Sequence, residues 1–154
     1  MRPYVTELAR RVASYGVNTI CGPLNGGAFL AELMALDLGV DFAFAERIVS
    51  QRSGLFPVDY RIPPALRAAL RDRRVAIVDD AISMGSAVRA TVADLEVCEA
   101  NPVVVGALLV MGPAGREFAA ARRLPFERLA DLPLRTWLPS ECQFCASGIP
   151  VADP

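Results

Sequence analysis

The stretch 74–90, RVAIVDDAISMGSAVRA, constrains the chain more than any other, because it fixes an element boundary and a chemistry together. Val75, Ala76, Ile77 and Val78 form a continuous apolar run, the pattern of a strand buried on both faces of a parallel sheet. Asp79 and Asp80 then emerge at its carboxyl end, where open α/β sheets bind ligands. The segment Ser83-Met84-Gly85-Ser86 turns tightly, and Ser86 is placed to cap a helix whose Val88, Val92 and Leu95 fall at helical spacing. Free backbone N–H groups of that turn and of the first helical turn point at an anion.

Two carboxylates beside an anion cradle make sense when the ligand carries a phosphate together with neighbouring hydroxyls or a bound divalent cation. A phosphorylated ribose has all of these. The carboxylates accept hydrogen bonds from the 2′- and 3′-hydroxyls, or face Mg²⁺, while the loop amides hold the 5′-phosphate. The plain alternative is an acid pair serving only as turn and helix cap, but a cap needs one carboxylate and not two in succession.

Residues 79–89, DDAISMGSAVR, resemble the phosphoribosyl diphosphate (PRPP) motif of type I phosphoribosyltransferases, in the form found in orotate phosphoribosyltransferases. Ser83 and Ser86 stand where threonines are usual, and Met84 where a small residue is usual. The resemblance implies Asp79 and Asp80 on the ribose hydroxyls, with Mg²⁺ at that pair directly or indirectly. It also implies Ala81, Ile82, Ser83, Met84, Gly85, Ser86 and Ala87 wrapped around the 5′-phosphate, where the bulk of Met84 would crowd the loop.

Length and composition bound this reading. A chain of 154 residues with 53% hydrophobic content has the material for a real core, and it is expected to form one domain over 1–154 with a short tail at 133–154. Apolar runs such as 102–111 are too short to span a bilayer, and the start, MRPYVTELARR, lacks the apolar core of a secretory signal. A cytoplasmic protein without a membrane partner is expected. A net charge of −1 gives no general reason to expect nucleic-acid binding. All 16 basic residues are arginine, and the chain has no histidine. Schiff-base chemistry, histidine general bases and histidine-ligated metals are thereby excluded.

The remaining pattern alternates. Residues 3–15 read as a helix with Val5, Leu8, Ala9 and Val12 on one face, and 17–21 as a strand ending at Gly22. Residues 27–38 read as a helix, 42–45 as a buried strand, 86–97 as a helix, 102–110 as a strand and 114–123 as a helix. Residues 48–64 collect Ser, Gly, Pro and Arg without periodicity and read as a long loop. Such alternation implies a doubly wound, mostly parallel sheet with helices on both faces.

A second anion site is readable in Cys21-Gly22-Pro23-Leu24-Asn25-Gly26-Gly27, whose glycines let backbone amides approach a pyrophosphate. Two cradles at one sheet edge suit a ligand with phosphates at both ends. The turn resembles the family's pyrophosphate loop, which implies Pro23, Leu24, Asn25, Gly26 and Gly27 as PRPP ligands, although orotate-type enzymes carry a lysine at the position of Gly26. The loop 47–61, RIVSQRSGLFPVDYR, brings Arg47, Arg52 and Arg61, whose guanidinium groups can clamp pyrophosphate oxygens. In the family the corresponding loop holds an arginine, two lysines and a histidine and closes over the site, often that of a neighbouring subunit. Arg47 matches the arginine; Ile48, Gln51 and Ser53 stand at the other three positions, with Arg52 as a substitute cation by proximity. The resemblance thus implies Arg47 and Arg52 in catalysis, and a homodimer.

On the acceptor side, the family follows its next strand with an Asp-Arg pair whose arginine meets the orotate carboxylate, where this chain reads Met111-Gly112-Pro113. Orotate is therefore expected to be a poor acceptor. Full-length relatives also begin with a hood segment, so the resemblance covers the core over 3–125 and implies a reduced or missing hood. At the carboxyl end, Trp137 precedes CQFCASGIP, with Cys142 and Cys145 at Cys-x-x-Cys spacing. A reduced surface pair, a redox pair, or half of a zinc site shared between two subunits all fit that spacing.

Three function classes follow. The first is a PRPP-dependent transferase acting on a nucleobase-like acceptor, and the second a noncatalytic PRPP or nucleotide sensor on the same fold. The third, a phospho-receiver domain, shares the VAIVDD strand end but fails because the acid pair lies mid-chain and the required lysine is absent. The transferase is the preferred reading.

Overall fold

In the computed structural model, residues 1–49, 58–134, 137 and 139–149 are described. The chain runs α1 (Arg2–Ala13), β1 (Thr19–Pro23), α2 (Gly26–Leu38), β2 (Asp41–Val49), β3 (Val58–Arg61) and α3 (Pro64–Arg67). It continues through β4 (Arg74–Ile82), α4 (Ser86–Val97), β5 (Asn101–Met111), α5 (Ala114–Ala121), β6 (Phe126–Leu132) and the single turn α6 (Gln143–Ala146). The six strands form one sheet in the order β3-β2-β1-β4-β5-β6, parallel except for the edge strand β3. This is the doubly wound α/β architecture the alternation implies.

Strand alternation sorts the core into two layers. Ala76 and Val78 of β4 join Ile20 and Val104 under Val5, Leu8 and Val12 of α1 and Leu30 and Met34 of α2. Val75 and Ile77 face the opposite way, with Ala43, Ala45 and Val105, toward Val88, Val92 and Leu95 of α4 and Phe118 of α5. Both faces of β4 are therefore dry, as its unbroken apolar run requires. Truncating Ile77 to alanine would cost about 2–5 kcal/mol, the usual range for a buried large side chain.

Strand β2 continues to Val49 and pairs antiparallel with β3, Arg47 opposite Tyr60 and Glu46 opposite Arg61. The reading of 48–64 as an irregular loop is corrected at both ends, and Arg47 and Arg61 belong to strands. An edge hairpin needs only backbone partners on one side, so polar Asp59 and Arg61 are tolerated there and blur the alternation. Beyond it, Pro64 opens α3, at the helix position where a missing N–H costs nothing. Asp94 of α4 secures that turn, accepting from the Ile62 N–H and from Arg67 Nη1, each at 2.7 Å. Strand β6, absent from the sequence reading, completes the other edge.

Candidate active site

The sheet order places a topological switch point between β1 and β4, since the chain leaves β1 for β2 on one side and β4 for β5 on the other. β1 pairs with β4 only as far as Cys21 opposite Ile77, whereas β4 runs on beside β5 to Ile82. The strand thus outlasts its expected end at Asp80, and Asp79 and Asp80 stand where its β1 neighbour has turned away. The start of α2 lies directly against them. A Cβ on Gly26 would collide with the Asp80 carboxylate, and one on Gly27 would lie 2.6 Å from Pro23 Cδ and 2.8 Å from Asp79 Oδ1. Glycine is a packing requirement at Gly27, where a Cβ would also meet the Val78 carbonyl oxygen at 2.8 Å, whereas at Gly26 a side chain would displace the exposed Asp80 carboxylate.

Each carboxylate also meets a main-chain amide: Asp80 N–H donates to Asp79 Oδ1 at 3.0 Å, and Ala81 N–H to Asp80 Oδ1 at 2.9 Å. Burial, and then the neighbouring Asp80 charge, push the Asp79 carboxyl up to about 8.

Next to Asp79, residues 81–87 line a cavity of about 280 Å³. Gly85, at φ 72°, is the residue that caps α4, and no side chain caps the helix. The assignment of Ser86 as cap is corrected: Ser86 is the first helical residue, because only glycine takes the left-handed turn that starts this helix without strain. The first-turn amides of α4 keep no side-chain acceptor, as an anion site requires. Met84 sits at this cavity, partly exposed.

The turn Pro23-Leu24-Asn25-Gly26-Gly27 lies on the other side of the switch point and is tied to the hairpin twice. Leu24 N–H donates to Ala45 O at 2.8 Å, and the Tyr60 hydroxyl donates to Leu24 O at 3.2 Å. Burial raises the Tyr60 pKa, Arg47 opposes the shift, and Asp79 adds to it. Arg47 and Asp79 are therefore each near enough to Tyr60 to act on its hydroxyl. Tyr60 escaped the sequence reading; its signal was a lone aromatic in a polar strand. Arg52, Gln51, Ser53 and Gly54 lie outside the described residues, so the contribution of Arg52 does too.

At the end of β5, Met111 leads to Gly112 at φ 82°, and Pro113 precedes α5. Gly112, Pro113, Arg116, Asp131, Leu132, Pro133 and Leu134 line a cavity of about 500 Å³. No cation occupies 111–113, but Arg116 lies four residues past Gly112 and pairs with Asp131 at 3.1 Å. That spacing, about one helical turn, is the signal that could have found it. The two loops touch: Arg89 Nη2 donates to Ala114 O at 2.9 Å, and a Cβ on Gly85 would lie 3.4 Å from Gly115 Cα.

Among the described residues no three His, Cys, Asp or Glu side chains converge on a metal position. Two carboxylates, one half-buried and one exposed, fit Mg²⁺ in the form in which it keeps waters and takes substrate oxygens. Among the described residues, no helix is long and apolar enough to cross a membrane.

No protein-family model matches the chain. It is 31% identical over 151 residues to the orotate phosphoribosyltransferase of Thermotoga maritima, covering 96% of this chain and 72% of that protein. To the orotate phosphoribosyltransferase of Carboxydothermus hydrogenoformans it is 34% identical over 141 residues, covering 89% and 65%. Among solved structures, adenine phosphoribosyltransferase of Thermoanaerobacter pseudethanolicus superposes with a TM-score of 0.71 at 19% identity, over 85% of this chain and 79% of that one. Orotate phosphoribosyltransferase of Aeropyrum pernix gives 0.63 at 19% identity, over 83% and 70%. These structures share the type I phosphoribosyltransferase fold with it. With nearly its whole length aligned to proteins of that name, the chain belongs to the orotate phosphoribosyltransferase family.

Proposed function

We propose that Asp79 and Asp80 accept the ribose hydroxyls of PRPP, that residues 81–87 enclose its 5′-phosphate, and that the turn Pro23-Leu24-Asn25-Gly26-Gly27 meets its pyrophosphate. The chain is a PRPP-dependent phosphoribosyltransferase, an enzyme that moves phosphoribose to a nucleobase. The bond from ribose C1 to the pyrophosphate oxygen breaks, a bond from C1 to a base nitrogen forms, and the nitrogen's proton leaves to solvent. Without lysine or histidine, catalysis rests on positioning and on charge. Arg47, and Arg52 with it, neutralise charge that grows on the departing pyrophosphate. Asp79 and Asp80 are the residues that would hold Mg²⁺, directly or through the ribose hydroxyls, and the ion would supply further neutralisation of the pyrophosphate. The observation that carries the reading is the acid pair at the switch point, seated on Gly26 and Gly27 beside the 280 Å³ cavity.

The acceptor enters beside Gly112, in the 500 Å³ cavity. Arg116 is the cation there; it reaches Asp131 at 3.1 Å, and Arg128 holds the same carboxylate at 2.6 Å. A carboxylated base such as orotate must compete with that aspartate, so orotate is expected to be a poor acceptor relative to an uncharged base. Steady-state rates with PRPP, Mg²⁺ and a panel of purines, pyrimidines and orotate test this; rapid orotidine 5′-phosphate formation overturns the ranking.

The protein acts as a homodimer. Helix α2 is apolar on both faces, and its outer face leaves Phe29 65% and Leu36 71% exposed, on the flank of the sheet where Phe42 stacks on Phe44. A second copy of the chain is the partner that would cover them. Light scattering of wild type and a Phe29→Asp, Leu36→Asp variant tests this, with a dimer becoming a monomer as the expected result.

A further inference from the structure

Phosphoribosyl transfer leaves Cys142 and Cys145 unused. They bracket the first turn of α6, where Cys145 N–H donates to Cys142 Sγ at 3.4 Å. Both reach solvent, Cys142 partly and Cys145 fully, unlike Cys21 and Cys98, which are buried. Between them, Phe144 packs edge-on against Trp137 with ring centroids 6.0 Å apart.

We propose that Cys142 and Cys145 are a redox-active dithiol that closes to an intramolecular disulfide by exchange with a disulfide of low molecular weight or on another protein. Three observations carry it: the Cys142 sulfur lies 3.4 Å from the Cys145 amide in one helical turn, an oxidant can reach both thiols, and a metal alternative lacks ligands. Among the described residues no third Cys, His, Asp or Glu joins the pair, so one copy offers two ligands where structural zinc takes four. The Cys145 N–H aimed at Cys142 Sγ favours Cys142 as the thiolate. It holds the Cys142 thiol below its ordinary value.

Cys142 thiolate attacks one sulfur of the incoming disulfide, forming a mixed disulfide and expelling one thiolate. Cys145 then gives its proton to solvent and attacks Cys142 Sγ, forming the Cys142–Cys145 bond and expelling the second thiolate. The protein dithiol loses two electrons and two protons, and the incoming disulfide becomes two thiols. Closure moves the chain on either side of Phe144, so the fluorescence of Trp137, the one tryptophan, reports it.

The test uses the full chain, fully reduced, equilibrated with glutathione redox buffers at pH 7.5, quenched by alkylation and read by mass spectrometry. The expected result is a joint loss of alkylation at Cys142 and Cys145, a mass lower by two hydrogens, and a Trp137 fluorescence change with the same midpoint. A Cys21→Ser, Cys98→Ser background is expected to behave identically, and Cys142→Ser to stay reduced at Cys145. Two alkylatable thiols in excess oxidised glutathione would overturn the proposal. So would a Cys142 glutathione adduct that never resolves, or about half an equivalent of zinc per chain that shields both thiols.

Discussion

Two neighbouring turns at one sheet edge show how little of the function lies in the scaffold. The β4–α4 and β5–α5 turns both follow long parallel strands, both pass through a glycine with positive φ, and they pack against each other. The first carries Asp79 and Asp80, seated on Gly26 and Gly27 beside a cavity of about 280 Å³. The second offers Met111, Gly112 and Pro113 beside a cavity of about 500 Å³, where Arg116 lines the wall and shares Asp131 with Arg128. On the proposed assignment the ribose side keeps the charges that phosphoribose needs. The proposed acceptor side holds Arg116 in a cluster with Asp131 and Arg128 in place of a free cation, so under this assignment donor recognition and acceptor choice are separable.

That separation can be broken first from the donor side. Replacing both Asp79 and Asp80 by asparagine removes two charge-assisted hydrogen-bond acceptors at about 1.5–3 kcal/mol each, and PRPP affinity should fall by roughly 10²–10³-fold or more. Calorimetry reads this, and unchanged affinity would remove the pair from the site. Next, Arg47→Ala should lower kcat by about 10–100-fold while PRPP affinity changes little, because the clamp acts where pyrophosphate charge is developing. An equal loss in affinity and kcat would make Arg47 a ground-state binding residue.

A third effect concerns stability. The native state holds the Asp79 proton up to about 8, whereas the unfolded chain releases it near the ordinary carboxylate value of about 4. Between these values the unfolded state binds fewer protons, so stability falls as pH rises. Asp79→Asn removes that slope and should raise the ligand-free Tm at pH 8 by about 2–5 °C, with little change at pH 4. Thermal melts at the two pH values check the sign; a variant less stable at pH 8 would contradict it. The smallest effect lies on the acceptor side. Asp131→Asn frees Arg116 from a half-exposed ion pair worth about 1 kcal/mol at most, so KM for orotate should fall by no more than about fivefold. KM for an uncharged base should stay fixed.

Much of the candidate site was legible because its signals are local. The apolar run before Asp79, the acid pair and the glycine loop sit within one short segment, and β4, α4 and the turn after β1 follow from it. What escaped depends on contacts distant in sequence. The close approach at Gly26 comes from Asp80, the anchor of Tyr60 is Leu24, and Arg116 meets Asp131. Edge strands escaped for a different reason: β3 and β6 each bury little, so their alternation is diluted by polar residues. The cap of α4 was misassigned to Ser86 because a serine before an apolar run is the commoner signal, and the left-handed Gly85 is visible only in the backbone.

The central claim is that the acid pair and its loop serve phosphoribosyl transfer, and pyrophosphate release tests it most directly. Wild type and the Asp79→Asn, Asp80→Asn variant are incubated with PRPP, Mg²⁺ and, in turn, each common nucleobase and orotate. At least one base should drive stoichiometric pyrophosphate release with wild type, and none should do so with the variant. A folded wild-type sample that binds PRPP yet releases no pyrophosphate with any acceptor would contradict the account and make the chain a PRPP sensor.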